Sequence, residues 1–410
     1  MSQKSFNALF AVAVIGLIVG AWGMFERLMY GLRPVAFGSY VPWGLWVALY
    51  LFFLGLSAGA FLITMLTYLF GMKRFEKIGR LSAFTVLVAL LCEVLFITLD
   101  LGQMTRIYRF LISPSFTSFM TWMFVLFNAM GLIYTLKVYF LVREDIIAWA
   151  NDVGRPGQAL YRLLSFGKTS YGESDHRRDE HRVHVLSMIS LPVGLLFYGM
   201  NGAFFAILMN RPIWNSAFTP LLFIMAALLS GGALITFLTH IYMRDDELVH
   251  GLGRAVLFVL VVFLFLEVLQ FFVGYQAGVP SVVASLDLIS KGPYWWTFWM
   301  VHVLIGSLVP LILLTAMPHN PRAVAWASFL IVITFIAVRF NFVIPDLAVY
   351  KLEGLEYTFY HERLRTHYTP NLNEWLVSLW IVSLGLVAFL LGTRWLPVIS
   401  SRRGGFENVQ

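Results

Sequence analysis

Ten stretches of the chain are apolar over the length of a membrane-spanning helix, and this pattern constrains the fold more than any other feature. They cover residues 6–24, 43–70, 83–99, 119–141, 185–209, 220–242, 255–273, 295–316, 323–342 and 375–395. A helix needs roughly 20 apolar residues to cross a bilayer. None of the stretches alternates as the strands of a membrane β-barrel do. The sequence therefore predicts an all-α integral membrane protein with ten transmembrane helices.

The composition agrees with this prediction and excludes several functions. Hydrophobic side chains make up 59% of the 410 residues and charged ones 12%, whereas soluble domains carry about 25% charged residues. The net charge of +7 is divided among the connections and forms no basic stripe with exposed aromatic rings, so nucleic-acid binding is excluded. The single cysteine, Cys92, excludes an internal disulfide and an iron–sulfur cluster held by about four cysteines of this chain.

Basic residues in the connections predict the orientation in the membrane. Eighteen Lys and Arg lie on the side of the N-terminus and nine on the opposite side. The cluster at positions 73–80 counts most, because charges in the long segment 142–183 have less effect on orientation. We therefore expect both termini in the cytoplasm. The first stretch lacks a small-residue cleavage site, which favours a retained helix over the alternative, a signal peptide.

Two connections are long enough to lie outside the membrane. Residues 151–182 mix charges of both signs without an apolar period, which predicts a solvated cytoplasmic loop. Residues 343–374 are rich in charge and tyrosine, a composition typical of a membrane interface or of a partner contact, and both remain open. The tyrosines are Tyr350, Tyr357, Tyr360 and Tyr368.

Short motifs recur at a nearly constant spacing. LITMLT at 62–67 recurs as LITFLT at 234–239, EVL at 93–95 recurs at 267–269, and WM at 122–123 recurs at 299–300, with offsets of 172, 174 and 177 residues. Four helices separate equivalent positions, so both units enter the membrane in the same direction and form a parallel repeat. Spans 2–5 and 6–9 are therefore predicted to be two four-helix bundles, flanked by helices 1 and 10. The predicted units are 1–42 (first helix and loop), 43–210 (first bundle), 211–342 (second bundle) and 343–410 (loop, tenth helix and tail).

Ionisable side chains inside the spans are candidate functional residues, because each costs a few kcal/mol at the bilayer centre. Glu93 and Asp100 are seven residues apart, so they lie on one helix face about 10 Å apart along the axis. We predict that these two carboxyl groups are the catalytic proton carriers. The alternative is structural, with Glu93 a neutral acid bonded to a neighbouring helix and Asp100 a helix cap at the headgroups.

Further polar and aromatic side chains are expected near the same membrane surface, where they could line one pocket. The candidate binding residues are Tyr50, Trp43, Trp122, Arg106, Tyr198 and Asn201. For the two tryptophans the alternative is a place in the aromatic belt at the membrane interface.

The second bundle keeps one of the two acidic positions. It has Glu267 at the position equivalent to Glu93, and it adds His302 and Arg339 inside spans. We predict a proton path through Glu93, Glu267, His302 and Arg339, with snorkelling of Arg339 to the surface as the alternative. No metal site is predicted. Intrinsic haem is not expected either. A bis-histidine haem needs two facing imidazoles at equal depth in the membrane, and only His184 and His240 approach this arrangement.

Four motifs carry a resemblance to a known family: VPWGLW at 41–46, GLSAG at 55–59, DLG at 100–102 and NFVIP at 341–345. In their order and spacing the sequence resembles the NrfD/PsrC (polysulfide reductase membrane subunit) family over nearly the whole chain. With ten spans it is most similar to the long branch that includes DsrP, QrcD, HmcC and HybB.

The resemblance implies an integral subunit of the bacterial or archaeal cytoplasmic (inner) membrane that binds menaquinone or ubiquinone near the periplasmic face. Such subunits exchange electrons with a docked periplasmic iron–sulfur (ferredoxin-like) subunit, often linked to multihaem cytochrome c or molybdenum subunits. The resemblance also places Tyr50 at the headgroup position, where some relatives have His or Asp. Because tyrosine is a poor proton acceptor near neutral pH, proton transfer would fall to Asp100 or Glu93.

Three functions follow as hypotheses. The first is the quinone-interacting membrane subunit of a respiratory oxidoreductase complex, with membrane lipid as its other partner. The second is a secondary transporter or proton-conducting subunit, suggested by Glu93, Glu267 and the repeat. The third is a structural anchor for peripheral redox subunits, in which the buried carboxyl groups only join helices.

Overall fold

The computed structural model describes residues 1–350, 354–358, 361 and 363–399, with the backbone only at position 356. Tyr360 of the tyrosine-rich connection and the tail from residue 400 onwards lie outside the described residues. Within the described residues, ten helices are long and apolar enough to cross a membrane, which confirms the predicted fold class. They are α1 (Gln3–Tyr30), α2 (Leu45–Tyr68), α3 (Glu76–Asp100), α4 (Phe119–Asn151), α5 (Glu173–Ala206), α6 (Phe218–Tyr242), α7 (Asp246–Ala277), α8 (Thr297–Ala316), α9 (Pro321–Leu347) and α10 (Leu372–Trp395).

The predicted loop at 151–182 is largely helical, which corrects the sequence-based expectation. It contains a short helix, Gln158–Leu164, and α5 already begins at Glu173. Buried Asp179 accepts hydrogen bonds from Arg182 one turn on (2.9 Å) and from Arg143 of α4 (3.1 Å). These ion pairs extend α4 and α5 beyond their apolar parts, and an apolar period detects only those parts.

Two further local features were not predicted from the sequence. The connection after α7 forms the short helix Pro280–Ser290. The first part of α8, Thr297–Leu308, is wound as a π-helix, a rare form that is frequent at functional sites. This π-helical segment carries His302.

The helix ends define the two faces of the bundle. Arg27 near the end of α1 donates hydrogen bonds to the carbonyl oxygens of Leu99 and Leu101 at the end of α3 (2.7 Å each). The start of α2 contacts the start of α10 at the same end of the molecule. We call this end the Asp100 face, after the last residue of α3.

Helix α2 lies at the centre of the molecule, and its glycines allow a close approach to α6. A Cβ atom added at Gly59 would lie 2.3 Å from the Cα of Gly231 on α6, and one added at Gly231 would lie 2.5 Å from the Cα of Gly59. Small residues permit such backbone contact between membrane helices. The two glycines are 172 residues apart, the offset of the repeated LIT motif. This contact between equivalent positions supports the parallel repeat, which stays a prediction.

Buried side chains form two hydrophobic cores. The larger core joins α2 to α5 with α10 and parts of α6, α7 and α9. The smaller core belongs to α6 to α9. Helix α1 packs against α10 through glycines, since a Cβ at Gly20 would lie 2.7 Å from the carbonyl oxygen of Leu376. Helices 1 and 10 are thus a packed pair.

A buried cluster at the Asp100 face anchors the start of α2. The first helical N–H group, that of Leu45, donates to the Tyr368 hydroxyl (2.7 Å), which itself donates to Glu374 Oε1 (2.7 Å). Glu374 Oε2 accepts from the N–H groups of Asn371 (3.0 Å) and Ala36 (3.3 Å). Burial and the neighbouring carboxylate hold the pKa of Tyr368 well above its ordinary value, so the hydroxyl stays a donor. The cluster therefore positions the segment that carries Trp43 and Tyr50.

Replacing Gly59 by alanine should separate α2 from α6. The new methyl group would meet backbone atoms, which cannot rotate away, so we expect a loss of about 1–3 kcal/mol in the free energy of unfolding. Thermal or denaturant unfolding of the purified chain in detergent measures it. Gly131→Ala in α4 is the matched control, because a Cβ there meets no atom within 4 Å. Equal stability of the two variants would contradict the close contact.

Replacing Tyr368 by phenylalanine should leave the Leu45 N–H group and one Glu374 oxygen without their partner. Unsatisfied buried polar groups cost about 1–3 kcal/mol, more when one is charged, and we expect the unfolding midpoint to fall accordingly. Tyr357→Phe, at a side chain that is 87% exposed, is the control and should leave the midpoint unchanged. A Tyr368 variant as stable as wild type would show that the cluster does not anchor α2.

Candidate functional site

A cavity of about 180 Å³ lies between α2, α3, α4 and α5 at the Asp100 face. Its wall is mostly aromatic and aliphatic, and the connection between α3 and α4 closes part of it. The lining includes Trp43, Val47, Tyr50, Ile97, Asp100, Ile107, Phe110, Met120, Met123, Phe124, Phe197 and Phe205. The cavity is smaller than the roughly 300–1,000 Å³ of typical ligand pockets. It therefore suits one flat ring system rather than a long ligand.

Tyr50 is the polar group that α2 places in this wall. Its hydroxyl donates to Asn201 Oδ1 on α5 (2.5 Å), while Asn201 Nδ2 donates to the carbonyl oxygen of Phe197 (2.8 Å). The second bond fixes the amide orientation, because a carbonyl only accepts. With its proton already used, the Tyr50 oxygen is free to accept a hydrogen bond from a ligand hydroxyl.

Asp100, the last residue of α3, is the ionisable group of the same wall. Its Oδ1 atom is buried and has no hydrogen-bond partner among the described residues. The guanidinium of Arg27 donates hydrogen bonds to the carbonyl oxygens of Leu99 and Leu101, the residues on either side of Asp100, and so fixes the end of the helix. Asp100 lines an apolar cavity and keeps one carboxyl oxygen unsatisfied, a combination that a ligand hydroxyl would complement.

Glu93 lies deeper and does not line the cavity. Its Oε1 atom accepts from the Ser57 hydroxyl (2.6 Å), and the Tyr198 hydroxyl donates to the Ser57 oxygen (3.3 Å). The other carboxyl oxygen, Oε2, is buried without a partner in the described part of the chain. Glu93 is thus joined to Tyr198 through Ser57, a residue that the sequence analysis did not single out.

The remaining predicted binding residues are not all brought together. Trp43 lines the cavity and stacks on Trp214, with ring centroids 5.9 Å apart. Trp122 is outside the wall; its side chain is 42% exposed and its Nε1 donates to the carbonyl oxygen of Phe116 (2.8 Å). Arg106 is exposed in a 3₁₀ turn of the connection. Met123, the residue after Trp122, lines the cavity, whereas Trp122 does not.

Helices α6 to α9, the predicted second bundle, line a smaller cavity of about 70 Å³. Glu267 and Arg339 line it, together with aromatic rings. Glu267 Oε2 is hydrogen-bonded to His302 Nε2 (2.8 Å), so two members of the predicted proton path are in contact. Arg339 is not bonded to either and is buried, which does not support snorkelling to the surface.

Lys137 on α4 is a buried cation that the sequence analysis left without a role. Its Nζ atom lies 5.0 Å from the ring centroid of Tyr134 and 5.5 Å from that of Tyr68. It has no hydrogen-bond partner among the residues described. A lysine inside an apolar stretch was the signal that could have identified it.

Within the described ranges, no group of three or more His, Cys, Asp and Glu side chains is placed to hold a metal ion. Of the two histidines weighed for haem, His184 already uses its Nδ1 atom in a contact with the carbonyl oxygen of Tyr68 (3.1 Å).

Comparison with known proteins identifies relatives over nearly the whole chain. A selenate reductase subunit of Mesobacillus selenatarsenatis is 28% identical, and the match covers 98% of this chain and 96% of that protein. The Hdr-like menaquinol oxidoreductase integral membrane subunit of Archaeoglobus fulgidus is 24% identical, with 96% and 94% covered. The menaquinone reductase integral membrane subunit of Nitratidesulfovibrio vulgaris is 22% identical, with 92% and 88% covered.

The family profile described as "Polysulphide reductase, NrfD" matches residues 35–350, which include α2 to α9 and both cavities. The chain therefore belongs to the NrfD (polysulphide reductase) family of membrane proteins.

Proposed function

We propose that this chain is the quinone-interacting integral membrane subunit of a respiratory oxidoreductase complex. It exchanges electrons between membrane menaquinone or ubiquinone and an iron–sulfur subunit docked at the Asp100 face. The observation that carries the proposal is the first-bundle cavity, where the unpartnered Asp100 Oδ1 atom and the Tyr50 hydroxyl share an apolar wall.

The cavity suits a quinone headgroup in both size and chemistry. A flat ring can lie among the aromatic side chains, and its two oxygens require polar partners. About 180 Å³ accommodates the ring but not an isoprenoid tail. The partly exposed Met120 belongs to the wall, so the cavity reaches the molecular surface, where a tail would extend into lipid.

Asp100 and Tyr50 have different roles in this proposal. Oxidation of a quinol releases two electrons and two protons. Asp100 accepts the two protons one after the other and passes the first on before it takes the second. Tyr50, whose own proton is held by Asn201, orients a ligand hydroxyl by accepting its hydrogen bond. The electrons leave to the docked subunit. Reduction runs these steps in reverse.

Glu93 receives protons at a position deeper in the protein than Asp100. It lies two helical turns below Asp100 and is bonded to Ser57 and, through it, to Tyr198. Its unpartnered Oε2 atom keeps the capacity to exchange a proton. In the second bundle, the Glu267–His302 pair provides a further proton-exchanging contact. Proton translocation through Glu93, Glu267, His302 and Arg339, the path predicted from the sequence, remains part of the proposal.

The comparisons support the quinone assignment. Two of the relatives are named as a menaquinol oxidoreductase subunit and a menaquinone reductase subunit. All three relatives are named as subunits, which supports partner redox subunits for this chain. The Asp100 face exposes Arg33, Arg106 and Arg109, which would attract an acidic partner there. We propose that this face is periplasmic and that both termini are cytoplasmic.

The second candidate function is a proton-conducting or transporting subunit, and the Glu267–His302 hydrogen bond favours it. It predicts ion-dependent flux in vesicles without a redox partner, whereas the quinone proposal predicts flux only during quinone turnover.

A headgroup in the cavity should quench the fluorescence of Trp43. We expect saturable quenching of the purified chain by a menaquinol-headgroup analogue, with a clearly smaller amplitude in Trp43→Phe. Trp122→Phe is the matched control, because Trp122 lies outside the wall, and it should keep the wild-type change. Absence of saturable quenching, even with partner subunits present, would rule out the quinone site. Quenching reduced only in the Trp122 variant would place the analogue at the membrane surface.

Substitutions in the wall should weaken binding unequally. Asp100→Asn loses a charge-assisted hydrogen bond and should raise the Kd of the analogue about 10- to 100-fold, while Tyr50→Phe loses a neutral one and should raise it about 2- to 10-fold. Quinol-dependent turnover of the assembled complex should fall in both. Asp152→Asn, an exposed carboxylate elsewhere, is the control. Unchanged turnover in fully assembled Asp100 and Tyr50 variants would instead support the structural anchor.

A further inference from the structure

The connection between α5 and α6, which joins the two predicted bundles, carries a fully buried tryptophan, Trp214. Its side chain is 1% exposed, and its Nε1 atom donates a hydrogen bond to the carbonyl oxygen of Phe342 on α9 (2.8 Å). The hydroxyl of Thr219, at the start of α6, donates to the carbonyl oxygen of Trp214 (2.8 Å). Neighbouring helices thus hold both the side chain and the backbone of Trp214 in place.

Aromatic rings from two other helices and from the start of α2 pack with this tryptophan. Trp214 stacks on Trp43, with ring centroids 5.9 Å apart and an angle of 21° between the planes. It also stacks on Phe342, at 5.9 Å and 26°. Phe205 of α5 packs edge-on against Trp43, Trp214 and Phe342, at 5.9, 5.1 and 5.2 Å. We call these four residues the ring cluster.

The ring cluster contributes to the walls of both cavities. Trp43 and Phe205 line the first cavity, the one that contains Asp100. Phe342 lines the second cavity, the one that contains Glu267. Trp214 is in neither wall and contacts a ring of each. Because aromatic rings attract one another and protein interiors leave little free space, a shift of Trp43 changes the packing of Phe342 through Trp214.

We propose that Trp214 is a positioning residue of the quinone site and that it couples headgroup binding in the first cavity to the wall of the second. Trp214 holds the Trp43 indole in the orientation that a flat headgroup meets, so less side-chain freedom is lost on binding. Coupling of this kind is reciprocal, so a bound headgroup that fixes Trp43 also fixes Phe342, in the wall that contains Glu267. The proposal rests on the proposed function, because it takes a quinone headgroup as the occupant of the first cavity.

The coupling is tested by changing a ring that lines only the second cavity. The Kd of the menaquinol-headgroup analogue is measured by calorimetry on the full chain, purified with its partner subunits. Phe342→Leu should raise this Kd about 2- to 10-fold, the effect of losing one aromatic contact. Phe271→Leu is the matched control, because Phe271 lines the same cavity but stacks on Phe298 (5.0 Å), outside the ring cluster, and it should keep the wild-type Kd. Equal Kd values in the two variants would overturn the proposal.

Variants of Trp214 separate positioning from a purely structural role. Trp214→Leu should raise the KM for quinol and the Kd of the analogue about 10-fold, while kcat stays within about twofold, because Trp214 is not in the wall that meets the reacting atoms. Trp214→Phe keeps a ring and should recover most of the affinity. Adding Phe342→Leu to Trp214→Leu should raise the Kd no further, since both changes break the same connection. Additive effects, or lower stability with an unchanged Kd, would contradict the positioning role.

Hydrogen exchange in the wild-type complex keeps the test decisive if the Trp214 variants do not fold. Bound analogue should slow exchange of the backbone amides at 207–217, a segment that contributes no residue to the wall of the first cavity. The segment 243–254, at the opposite face, is the control and should not respond. Slower exchange confined to the wall of the first cavity would contradict the coupling and leave the quinone site standing. Absence of saturable binding in wild type would remove the proposed function, and this proposal with it.

Discussion

The direct contact of α2 with α6 at Gly59 and Gly231 is the constraint on which the rest of the structure depends. Lipid provides no hydrophobic drive for membrane helices to associate, so close packing of small residues must provide it. Here the two backbones touch, and α2 becomes the shared wall of both bundles. Because this contact holds α2 against α6, the Tyr50 side chain of α2 faces α5 and the first cavity. The position of the candidate quinone site thus depends on two glycines, Gly59 and Gly231, at which the backbones of α2 and α6 touch.

The ionisable side chains at the helix contacts and at the cavities differ in their partners. Glu374, Arg27 and Glu267 are hydrogen-bonded to side chains or carbonyl groups of other helices, and they join those helices. In contrast, Asp100, Glu93 and Arg339 each keep a polar atom without a partner in the described residues. Unsatisfied groups are costly in a medium of low polarity, and they mark the places where a ligand or a proton completes the structure. The proposed quinone site includes one of these residues, Asp100.

Much of the fold could be predicted from the sequence, and the errors have physical reasons. Ten spans were predicted, and the described part of the chain contains ten helices of spanning length, because hydropathy over about 20 residues reports directly on the ability to cross a bilayer. The early start of α5 at Glu173 was missed, since ion pairs such as Arg143 to Asp179 depend on a neighbouring helix. The π-helical start of α8 was missed as well, because no apolar period distinguishes it. Of the candidate binding residues, Tyr50, Trp43 and Asn201 lie at the first cavity or bond to its wall, while Trp122 and Arg106 lie outside it.

The sequence by itself determined the membrane class, the number of spans and which ionisable residues lie at membrane depth, because these depend only on local composition. Only the tertiary structure decided which of those residues have partners and which face a cavity. Lipid is as apolar as a protein core, so an all-apolar helix carries no pattern that separates its inner face from its outer one. Trp43 and Trp122 both stand near the start of an apolar stretch in the sequence, yet one lines the cavity and the other is exposed at the surface. Helix packing makes that distinction.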